Sequence, residues 1–68
     1  MQDLSKLSGM VAVSPLNDAG VVYNIFDTSE RGIDEIAAYI FTAYADDAFI
    51  LRGDGGVTAV IHRTGNGL

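Results

Sequence analysis

The chain contains no cysteine and no tryptophan, a single proline, a single histidine and only four lysines and arginines. The shortages narrow the ways in which it can be held together. Sixty-eight residues form one domain, and a chain this short buries only about 60% of the surface its unfolded form exposes. Small chains close that gap with disulfides, a metal or a partner subunit. With no cysteine and only His62 as an imidazole, oligomerisation or partner binding is what remains. Basic residues are as scarce: Lys6, Arg31, Arg52 and Arg63 stand against nine carboxylates, a formal net charge of -5. Counterion release on a phosphate backbone needs clustered lysine and arginine, so direct nucleic-acid binding is not expected. A basic protein surface is the better electrostatic match. No apolar run approaches the ~20 residues that cross a bilayer, and no segment reads as a signal peptide. A cytoplasmic protein of a bacterial host cell, with no membrane partner, is the expectation.

What is present is a pattern. Met10 to Val13 is small and β-favouring, Ser14-Pro15 and Asn17 to Gly20 carry turn chemistry, and Val21 to Phe26 is a β-branched and aromatic run. These predict an antiparallel hairpin. Asp27 to Glu30 lead into a helix with Thr28 or Ser29 as N-cap, and Gly32 delays regular helix until Ile33. At 100° per residue, Ile33, Ile36, Ala37, Ile40, Phe41, Ala43 and Tyr44 share one arc, the stripe that faces a core. Ala48 to Arg52 and Val57 to Arg63 are two further strands, joined by Gly53-Asp54-Gly55-Gly56. Residues 1–8 form an N-terminal arm with Leu4 and Leu7 at helical spacing, and residues 64–68 a flexible tail. The order predicts an α+β fold, ββαββ, with a four-stranded, mainly antiparallel sheet and one helix packed on one face.

Alternation sends Val21, Tyr23 and Ile25 to one side of the sheet and Val22, Asn24 and Phe26 to the other, and both sets are largely apolar. A half-exposed antiparallel sheet normally carries polar residues on its wet face. The second face therefore predicts a cover: the N-terminal arm, a second copy, or another protein. Val22 and Phe26 are the candidate contacts for a homodimer or sheet-face complex.

No constellation for catalysis accompanies the fold. His62 lies in a predicted strand beside Arg63, and serines 5, 8, 14 and 29 sit in no nucleophile elbow. Asp46-Asp47 with Asp54 lack the alternating carboxylates of a calcium loop. Gly53 to Gly56 joins two strands where a phosphate loop would open a helix, and the Arg52-Gly53-Asp54 triplet, which resembles an integrin-recognition triplet, is short enough to recur by chance. No catalytic residue, metal or cofactor is expected. The outer helix face is more informative. Glu35, Tyr39, Thr42 and Asp46 fall on one side, placing an aromatic anchor among carboxylates. Asp34, Asp47 and Glu30 complete the candidate partner-binding set.

In size, acidity and absence of catalytic motifs the chain resembles phage-encoded inhibitors of bacterial defence, anti-CRISPR proteins among them. The resemblance covers composition and size alone, and no motif carries a family's residues over. It implies an acidic inhibitor, not an enzyme, that mimics DNA by placing carboxylates where a nucleic-acid-processing complex expects phosphates. The alternative is a structural homodimer, or a small subunit or antitoxin-type partner, that uses the apolar second sheet face.

Overall fold

The computed structural model describes residues 4–63; the first three residues and the expected tail at 64–68 lie outside the described residues. Four strands, β1 (Met10–Pro15), β2 (Asn24–Asp27), β3 (Ala48–Arg52) and β4 (Thr58–His62), form one sheet, and one helix, α1 (Ile33–Ala43), lies between β2 and β3 in the chain. The α+β ββαββ architecture is the one the sequence pattern implies. The strand order is β2-β1-β3-β4 with every neighbouring pair antiparallel. β2 and β3 consequently run parallel on either side of β1, and α1 carries the chain across β1. Among the described residues, no helix is long and apolar enough to cross a membrane.

The core lies between sheet and helix. Val11 and Val13 from β1, Phe49 and Leu51 from β3, Ala59 and Ile61 from β4, and Ile36 and Ile40 from α1 are buried together. Leu7 joins them and Leu4 packs against them, so the arm, which makes a short 3-10 turn at Leu4–Lys6, contributes to the helix-side core. Its described apolar residues, Leu4 and Leu7, are therefore not the cover of the second face. Phe49 organises the aromatics: the rings of Tyr23, Phe41 and Tyr44 all meet it edge-on, at 6.3, 5.4 and 6.2 Å between centroids. Edge-to-face contacts of this kind add to area burial because the positive ring edge meets the negative face.

Element boundaries shift from the sequence expectation for identifiable reasons. β1 continues through Ser14-Pro15, where a turn is expected. Its odd-numbered residues bond toward β2, whose pairing stops at Val13; the N–H that Pro15 lacks would point where no strand lies, so it costs no ladder bond. β2 begins only at Asn24. Tyr23 donates its N–H to Val13 O at 2.8 Å, while Val13 is also the register partner of Asn24; two residues opposite one interrupt the ladder, as in a bulge. Val21 and Val22 are left outside the strand. Neither expected N-cap serves. Gly32 occupies the cap position with no side-chain bond, Thr28 Oγ1 donates to Gly9 O, and Ser29 bonds Asp27. α1 ends at Ala43 because Tyr44 turns extended, and Ala43 itself is exposed.

The second sheet face carries Met10, Ala12, Ser14, Ile25, Asp27, Ala48, Ile50 and Val60, with Arg52, Thr58 and His62 at its β3 and β4 margin, by the alternation of the registers, and Ser14 on it is buried. Met10 is 51% and Ile25 55% exposed. Phe26 is on the helix side, packed against the core, and this corrects its expected place: the β2 residues on the second face are Ile25 and Asp27, of which Ile25 is the exposed apolar one. Arg52 donates to the Ala19 carbonyl and so ties the β1–β2 connection to this margin.

Candidate protein-interaction surface

The residues leading into α1 build a cleft of about 480 Å³, lined by Asn24, Ile25, Phe26, Asp27, Glu30, Arg31 and Tyr39. Its floor is rigid for local reasons. Asp27 Oδ1 accepts from Ser29 N–H at 2.9 Å and Ser29 Oγ at 2.7 Å, an Asx turn that fixes the exit from β2. The Ser29 hydroxyl, and then its amide, hold the Asp27 carboxyl below its ordinary value. Glu30 N–H closes on Asp27 O at 3.1 Å, and Thr28 anchors the turn to Gly9 O through both its N–H and its hydroxyl. Tyr39 forms one wall. Its ring meets Phe26 edge-on at 5.7 Å and 73°, yet the side chain remains 44% exposed. A half-exposed ring locked by one edge contact loses little side-chain entropy when a partner covers it.

The six expected partner-binding residues divide into two groups. Glu30 and Tyr39 line the cleft; Asp34 and Glu35 are exposed on the first turn of α1, with Glu35 one helical turn from Tyr39. Asp46 and Asp47 lie past the other end of the helix, about 16 Å along its axis by the helical rise. They border a separate hollow of about 430 Å³ with Leu16, Asn17, Ala45 and Ala48. Asp46 is not on the helix at all. Its carboxylate accepts the Tyr23 hydroxyl at 3.0 and 3.1 Å and so also helps to hold the fold. Val22, expected as a sheet-face contact, is 53% exposed in the β1–β2 connection.

The acidic C-terminal end of α1 has a counterpart that the sequence conceals. No basic residue stands in the last turn, but Arg63, arriving just after β4, donates to the carbonyls of Phe41 at 2.9 Å, Tyr44 at 2.7 Å and Asp46 at 3.0 Å. The Phe41 carbonyl is among those a helix end leaves without partners, Tyr44 is the C-cap, and Asp46 lies just beyond it. Local reading does not find Arg63, because it lies 22 residues from Phe41. Arg31, Asn24 and Ile25 were also outside the expected set; the neighbouring acidic run Asp27, Glu30 and Asp34 was the available signal for the cleft.

Chemically the cleft offers carboxylates, one cation and a tyrosine ring, groups that can meet a guanidinium or ammonium group. Among the described residues, no three His, Cys, Asp or Glu side chains group closely enough to hold a metal ion. His62 is exposed at the end of β4, opposite Ala48. Comparison with known protein families, with curated proteins and with solved structures gave no significant match.

Proposed function

We propose that this chain is a small acidic inhibitor that binds a basic, nucleic-acid-binding surface of a larger bacterial defence complex and blocks it, acting in the host cytoplasm as phage-encoded inhibitors do. The observation that supports the reading is the cleft beside Tyr39, where Glu30 and Asp27 flank a half-exposed, edge-locked ring and Glu35 stands one turn away. Carboxylates on a rigid frame compete for arginines and lysines that would otherwise hold phosphates, and the tyrosine supplies the desolvated anchor. The overall charge of -5 adds attraction at a distance.

The tagged protein is expected to retain a nuclease or nucleic-acid-binding complex from bacterial lysate, to release it at high salt, and to displace its nucleic acid. Glu30→Lys with Glu35→Lys, and separately Tyr39→Ala, should abolish retention. Retention that survives these changes but is lost in Met10→Asp, a residue of the sheet face outside the cleft, would refute the inhibitor reading and favour the second one, a structural subunit or antitoxin-type partner using the open sheet face. That second reading draws on Ile25 and Met10, both more than half exposed on that face.

A further inference from the structure

The two edges of the sheet differ in kind. In an antiparallel ladder alternate residues point their N–H and C=O toward a given neighbour and the others point away. On β2 the register and the Thr28 N–H bond to Gly9 O send Ile25 and Asp27 outward. Each has one of its two outward backbone groups bonded by the chain itself. Ile25 N–H donates to Asn24 Oδ1 at 2.8 Å, and Asp27 C=O accepts from Glu30 N–H. A strand added to β2 would have to displace these bonds, the self-protection that edges commonly carry.

β4 has no such protection among the described residues. The bonds Gly53 N–H to Val57 O and Arg63 N–H to Asp47 O set the phase of its pairing with β3, so Ala59 and Ile61 bond to β3 while Thr58, Val60 and His62 direct their backbone groups outward. The strand contains no proline, no bulge and no Asp, Glu, Lys or Arg. Residues 55–68 contain no acidic side chain at all, in a chain that carries nine. β4 is thus the sheet edge free of acidic side chains, whereas the other edge strand carries Asp27, so two copies of this acidic protein approach through β4 with less repulsion.

We infer that β4 pairs antiparallel with β4 of a second copy about a two-fold axis at Val60, making one continuous eight-stranded sheet. The register follows from the strand. Outward groups must meet outward groups, and centring on Val60 is the symmetric alignment that uses all of Thr58 to His62. Val60 then faces its own copy, and each Thr58 faces His62 across the axis, a hydroxyl beside an imidazole. On the helix side each Ala59 faces Ile61, a small residue against a large one, which suits close packing. The apolar strip of Ile50 and Val60 continues across the joint. Because β4 is the edge farthest from β2, both acidic clefts stay free at the two ends of the assembly. The inference stands apart from the inhibitor reading and does not need it.

The test is sedimentation equilibrium of the purified chain together with backbone amide exchange by NMR. A dimer in which the Thr58, Val60 and His62 amides exchange at least tenfold more slowly than in dilute, dissociated protein is expected. Val60→Pro removes an N–H that bonds nothing among the described residues, so it should give a folded monomer; Val60→Lys, which sets like charges face to face, is the second variant should proline disturb the strand. A monomer at millimolar concentration overturns the inference, as does a dimer whose β4 amides stay unprotected or that persists in both folded variants. Protection that appears only with a different protein bound would assign the edge to that partner and overturn self-pairing.

Discussion

The Arg63 guanidinium lies 5.0 Å from the centroid of the Phe41 ring while donating to the Phe41 carbonyl. One side chain therefore satisfies the end of α1, places a positive charge at the negative pole of the helix dipole, and stacks on an aromatic that itself packs against Phe49. Replacing it separates these roles. Arg63→Ala should cost about 1–2 kcal/mol in urea unfolding, and Arg63→Lys should recover only part, because lysine keeps the charge but lacks the planar fork. An unchanged midpoint in Arg63→Ala would show that the cap carries no stability.

Tyr23 and Asp46 give the protein an alkaline signature. The Tyr23 hydroxyl is raised above its ordinary value of 10.0, first by its hydrogen bond to Asp46, then by burial and by the charge of the same carboxylate. A folded-state value above the unfolded one means that the folded state keeps its proton longer, so the contribution is full below pH 10 and is lost as pH rises through the folded value. In Asp46→Asn the Tyr23 ring should titrate closer to 10.0 by NMR, and the alkaline loss of stability should weaken. A Tyr23 titration indifferent to Asp46→Asn would remove the carboxylate as the cause.

Gly9 should not tolerate a side chain. Its φ is +69°, and a Cβ there would stand 1.8 Å from Asp54 Oδ2. Gly9→Ala pays the left-handed penalty of about 1–2 kcal/mol and also pushes Asp54 aside. The double variant with Asp54→Gly should recover the steric part but not the backbone part. Full recovery in thermal unfolding would mean that the backbone angle is not a constraint.

Phe49 is the residue on which the fold depends most. It is fully buried and meets three aromatic rings. Phe49→Ala should cost about 3–5 kcal/mol, against a total stability of roughly 3–10 kcal/mol for a chain of this length. The expected result is loss of the near-ultraviolet tyrosine signal and of cooperative unfolding, with Phe49→Leu intermediate. A cooperative melt close to that of the native chain in Phe49→Ala would place the core elsewhere.

Much of this architecture was legible along the chain, because local chemistry specifies local elements. The β-branched runs, the 3.6-residue stripe from Ile33 and the glycine turn at 53–56 each act within a few residues, and together they imply ββαββ with one helix on one face. Alternation likewise indicated two apolar sheet faces. Strand order, the placement of β2 beyond β1, and the self-closed edge at Asn24 came only from the tertiary structure, because they depend on pairings between distant residues that no local pattern records. The same holds for Asp46, which reads as a helix-face carboxylate yet is held by Tyr23, 23 residues away. It holds for Arg63, which completes a helix it does not belong to. Periodicity settles which side chains share a face; only the packed chain decides which face meets the helix, and which charged groups also bond within the fold.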